Sequence, residues 1–148
     1  MTPTPYPSHQ RRGFSLPELL VVLLIGVILV ALAVGGYDEH ARRSRRVQAQ
    51  IALMEAEHLL HRHHAAHLSF AGAQLPPSLA QVPGQGTAVY RLELSTAGSP
   101  PQRFSLRAVR TGTMKSDRCG DLAVDQTGRR TISNNAPDTT LNDCFKAS

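Results

Sequence analysis

The residues of this sequence whose types could do chemistry fall in separate places along the chain. Near the start, Glu18 follows Pro17 at the head of a run that carries no charge from Leu19 to Gly36. A carboxylate at the edge of a membrane-length apolar segment is costly unless a cation compensates it, so Glu18 is a candidate ion-pairing group. It is equally a helix N-terminal carboxylate, which the macrodipole favours by about 0.3–1 kcal/mol. Further on, His58, His61, His63, His64 and His67 include pairs at i,i+3 and i,i+4, which share a helix face and could ligate a metal. Only Glu55 and Glu57 lie at suitable local spacing to join them. A polar, pH-sensitive helix end near the negative pole of the dipole accounts for the same residues, and no metal site is assigned. There is no nucleophile elbow and no phosphate-cradling glycine loop, so neither an enzyme nor a cofactor is expected.

Two further groups lie in the C-terminal half. Cys119 and Cys144 have no metal-type spacing. In an oxidising compartment they would pair and close a loop worth about 3–4 kcal/mol in the chain-entropy model; otherwise they are two buried thiols. Arg103, Arg107, Arg110, Lys115, Arg118, Arg129 and Arg130 could, if clustered, neutralise several phosphates of DNA. They also read as the solvated surface of alternating strands, because Asp117, Asp121 and Asp125 interrupt them and few aromatics are interleaved for stacking. The chain has 16 Lys and Arg against 11 Asp and Glu, a formal charge of +5 that permits nucleic acid or anionic lipid as a partner and requires neither.

The elements that must position these groups can be read in order. Residues 1–13 form a proline-rich leader with a basic end, outside the fold. Residues 14–37 are long and apolar enough to cross a hydrocarbon core of about 30 Å as a helix. Orientation is contradictory on charge alone. Arg11 and Arg12 precede the span, whereas Arg42, Arg43, Arg45 and Arg46 follow it, and the positive-inside rule counts only such cations. The cysteine pair argues that the C-terminal domain lies outside the cytosol.

Leader, Gly13, Phe14, Glu18 and span together resemble the processing site of the type IV pilins. The resemblance implies that prepilin peptidase cuts between Gly13 and Phe14, and that the new amine of Phe14 is methylated. It also implies that Glu18 compensates that amine in a neighbouring subunit as the helices enter the filament core. Pro17 becomes the fourth residue of the mature chain, where a helix N–H has no internal acceptor to lose. It departs from the commoner aliphatic residue there.

Residues 38–67 contain no proline or glycine and are rich in strong helix formers, so the helix is expected to continue, with a bend or local melting at Gly35-Gly36. One stripe holds Val47, Ile51 and Met54, continued by His58, His61 and Ala65; another holds Ala49, Leu53, Ala56 and Leu60. Two stripes imply two partners, the chain's own domain and a neighbour in a filament. Residues 68–148 are expected to open with a loop and then form a four-stranded antiparallel meander. Its strands are marked by Tyr90, Leu92 and Leu94, by Phe104 and Leu106, by Leu122 and Val124, and by Thr131–Ser133. The fold class is therefore α+β, a pilin-like long helix packed through its amphipathic half on a sheet. The segments around Cys119 and Cys144 resemble the disulfide-closed C-terminal region of small minor pilins.

The resemblance implies a structural minor pilin subunit, held in the inner membrane and then built into an extracellular pilus that supports biogenesis, twitching motility or adhesion. Its partners would be other pilin subunits, prepilin peptidase and the pilus assembly machinery. Two alternatives remain: a DNA-binding minor pilin of natural transformation, and a pseudopilin of type II secretion.

Overall fold

The structure, a computed structural model, describes residues 15–145. Helix α1 (Leu16–His67) begins where the Ser15 carbonyl accepts the N–H groups of Glu18 and Leu19, and Pro17 sits in the first turn. It is helical through Gly35 and Gly36, so the local melting expected there is not found. It ends at Leu68, whose φ of 53° turns the chain while its N–H closes on the His64 carbonyl at 2.7 Å.

The chain divides into two compact units, one up to Asp38 and one from Glu39 onward. In the first, the large apolar side chains from Leu19 to Leu32 are each more than half exposed. None of the described residues covers them, as a lipid-facing segment requires.

The second unit pairs the rest of α1 with an antiparallel sheet. Its strands are β1 (Gln81–Val82), β2 (Tyr90–Gly98), β3 (Pro101–Arg110), β4 (Asp121–Asp125) and β5 (Arg130–Ser133), in that spatial order. There are five strands where four were expected. The addition, β1, lies in the segment read as a loop. Gln81 pairs with Arg91 and Val82 with Tyr90, and Pro83 ends the pairing, which confines this piece to an edge. A short helix, α2 (Leu141–Phe145), was also not anticipated.

Strand alternation sends Tyr90, Leu92, Phe104, Leu106, Ala108, Leu122 and Val124 inward. They form one core with Ala49, Ala52, Leu53, Ala56 and Leu60 of α1. The stripe of Val47, Ile51 and Met54 stays partly uncovered: Val47 is half-buried, Ile51 is 50% and Met54 46% exposed. Cys119 and Cys144 form a disulfide, Cα–Cα 5.6 Å, both buried, which ties α2 to the start of β4. Gly120 beside it has a φ of +72°, and a Cβ there would collide with the Ser133 carbonyl, so only glycine fits.

Candidate functional site

The processing pair Gly13 and Phe14 lies outside the described residues. Glu18 is exposed in the first turn of α1.

The five clustered histidines lie in the last turns of α1, and three of them are engaged with backbone or with a neighbouring amide. His63 Nε2 donates to the Ala71 carbonyl at 3.0 Å, His67 Nδ1 to the His63 carbonyl at 3.0 Å, and His64 Nε2 to Gln102 Oε1 at 3.0 Å. His61 meets the Phe104 ring edge-on. These contacts fasten the helix end to the loop after it and to the β2–β3 hairpin. Among the described residues, no three His, Cys, Asp or Glu side chains converge as a metal site would require.

The seven cations of the C-terminal half do not form one patch. Arg107 and Arg110 are both drawn to Asp121, which is 5% exposed. Arg107 Nη2 donates to Asp121 Oδ2 at 2.8 Å, while the Arg110 backbone N–H and Nε donate to Oδ1 at 3.1 and 3.3 Å. Asn134 Nδ2 adds a bond to Oδ2 at 3.0 Å. Burial alone would raise the pKa of Asp121, but these donors outweigh it and hold the carboxyl below its ordinary value. Arg107 and Arg110 are thus largely committed to holding β3 to β4.

The other five are exposed and fall at two ends of the sheet. Ser105 of β3 pairs with Asp125 of β4, so Arg103 and the β4–β5 turn carrying Arg129 lie at the same end. Arg130, first residue of β5, stacks its guanidinium over Phe145 at 5.4 Å from the ring centroid. Asp125 Oδ1 fixes the turn by accepting from the Thr127 hydroxyl at 2.6 Å and from the Thr127 and Arg129 N–H groups. Thr127 foremost keeps the Asp125 carboxyl ionised below its usual range. Lys115 and Arg118 sit at the opposite end, in the segment joining β3 to β4.

That joining segment is also where α1 is clamped, through residues the sequence did not single out as a pair. Asp117 is fully buried beneath Arg46: Nε donates to Oδ1 and Oδ2 at 3.0 Å each, and Nη2 to Oδ2 at 2.6 Å. The Cys119 N–H also bonds Oδ1 at 3.0 Å, and Glu39 meets Arg46 Nη2 at 3.1 Å. Burial pulls the Arg46 pKa down, but Asp117 and then Glu39 outweigh it and the guanidinium stays charged. Tyr90 packs beside them fully buried, and its hydroxyl has no hydrogen-bond partner among the described residues. Burial first, then the Asp117 charge, pushes the Tyr90 pKa far above its usual value. Arg46 and Asp117 are 71 positions apart, so no local spacing could have announced them.

Comparison with known proteins places this architecture. Residues 8–34 match the prokaryotic N-terminal methylation motif. A pilin from Shewanella oneidensis, solved as a type IV pilin, is similar over 72% of this chain and 99% of its own, with 25% identity and a TM-score of 0.51. The non-core minor pilin PilV of Neisseria meningitidis is similar over 68% of this chain and 93% of its own, with 14% identity and a TM-score of 0.48. No curated protein sequence matches. Residues 36–123, more than half of the chain, match the model described as type IV minor pilin ComP, DNA uptake sequence receptor. With the methylation motif and apolar helix, this fits an inner-membrane anchor that enters a pilus, and the chain belongs to the type IV minor pilin family.

Proposed function

We propose that this chain is a minor pilin of the DNA-uptake type, processed at Gly13–Phe14, anchored in a pilus by its helix and presenting DNA-binding cations on its sheet domain. The observation that carries the DNA reading is the match of a DNA uptake sequence receptor model to residues 36–123. The exposed Arg103, Arg129 and Arg130 at one end of the sheet, and Lys115 and Arg118 at the other, supply the charges. Arg107 and Arg110 serve instead as their support, through Asp121. In the filament, the methylated amine of Phe14 would meet Glu18 of a neighbouring subunit, which removes the cost of burying either charge alone. The uncovered Ile51 and Met54 stripe would pack against another pilin.

Titration of the detergent-solubilised full chain with labelled duplex DNA, at several salt concentrations, tests the DNA reading. Binding should weaken with a log–log slope of about −0.9 for each phosphate neutralised. The charge reversals R103E and R129E should each reduce the slope by about one contact, whereas a chain that never retards duplex at low salt would falsify the reading.

A further inference from the structure

The arginines that follow the span raise a question that DNA binding does not answer. Four cations at the outer edge of a membrane helix oppose the usual charge bias, unless they have work to do there. The structure removes Arg46 from consideration, since Asp117 and Glu39 neutralise it. Arg42 and Arg45 are different. Three residues apart, they share a face of α1 and reach to the two hydroxyls that flank Lys115 in sequence. Arg42 Nη1 donates to Ser116 Oγ at 3.3 Å, and Arg45 Nη1 donates to Thr113 Oγ1 at 3.1 Å. Both arginines are half-buried, each bond is to a neutral oxygen and uses one of five N–H donors, and among the described residues no carboxylate pairs with either guanidinium. Lys115 is exposed between the two hydroxyl residues.

Position on the helix selects the ligand. Arg42 lies five residues beyond Tyr37, where the apolar run stops, a rise of about 7.5 Å. The polar headgroup layer extends about 5–8 Å beyond the hydrocarbon core on each side. The acidic neighbours are Asp38 and Glu39, and Glu39 is already paired with Arg46. We propose that Arg42, Arg45 and Lys115 form a docking surface for the phosphate headgroups of anionic phospholipids, which seats the domain on the membrane before assembly. It occupies the helix side of the joining segment, and Arg103 and Arg129 at the far end of the sheet have no part in it.

Deuterium uptake by residues 111–118 reads this directly, with the full chain held in nanodiscs of phosphatidylcholine or of phosphatidylcholine mixed with phosphatidylglycerol. An anionic leaflet favours each exposed Lys or Arg by about fivefold, so uptake should slow at least about fivefold in the mixed discs. K115Q and the double variant R42Q/R45Q should each remove much of that protection, and high salt should remove nearly all of it. The exposed Lys115 side chain makes no hydrogen bond or ion pair with the described residues, so K115Q controls against a folding defect. Equal uptake in the two bilayers would overturn the proposal. So would equal protection by inorganic phosphate in neutral discs, which assigns the site to a free anion. Protection by duplex DNA but not by phosphatidylglycerol would overturn it too, leaving Lys115 with its DNA role alone.

Discussion

Replacing Asp117 with alanine should damage this protein more than any surface change of charge. The carboxylate is 0% exposed and Arg46 only 4%, and three short donor contacts join them. Without Asp117 the guanidinium stays buried with only Glu39, itself 56% exposed, to compensate it. Breaking a buried pair from one side costs about 3–5 kcal/mol, chiefly because the remaining charge is stranded. For a unit of this size that is a fall in Tm of about 10–20 °C. Thermal unfolding of the detergent-solubilised chain, followed by circular dichroism, measures it. Replacing both partners by apolar residues, as in R46M/D117L, should recover most of the loss, because no charge is then left unpaired. A fall of less than about 4 °C for D117A refutes the reasoning. So does a double variant whose loss equals the sum of the R46M and D117L losses, since uncoupled residues add.

Two other outcomes follow from the same network. Reducing the Cys119–Cys144 disulfide, which spans 25 positions, should cost about 3–4 kcal/mol in the chain-entropy model and lower the urea midpoint without abolishing the helix signal. Acid should act through Asp121 and Asp125, whose carboxyls are held below their ordinary values. A depressed folded pKa means that the unfolded chain binds protons first as pH falls. Stability is therefore complete above the unfolded value near 4 and is lost as pH drops through the folded one. Urea midpoints at neutral pH and below about pH 4 should differ in the native chain and differ less in D121N.

Much of the fold is legible in the sequence because it rests on periodicity. Tyr90, Leu92 and Leu94 alternate with charged and polar residues as β2 does, and Ala49, Leu53, Ala56 and Leu60 fall on the face that α1 buries. Strand β1 was not legible, because two residues beside a proline are too few to show alternation. Helix α2 is equally short. Among the cations, Arg103, Lys115, Arg118, Arg129 and Arg130 are exposed as the basic-surface reading needs, whereas Arg107 and Arg110 are not free. The signal for those two was present: Asp121 interrupts the basic run. Its register opposite β3, however, exists only once β4 pairs. Arg46–Asp117 and the Arg42 and Arg45 contacts to Ser116 and Thr113 depend on α1 packing beside the joining segment, which no spacing within α1 encodes.

Intact-mass and peptide analysis of the chain in pili sheared from cells tests the central claim most directly. The chain in the filament should begin at Phe14, carry one methyl group on that amine and keep the Cys119–Cys144 disulfide. Glu18→Ala should be cut in the same way yet be depleted from the sheared filaments. A native chain that retains residues 1–13, or that stays in the membrane fraction while pili form normally, would contradict it.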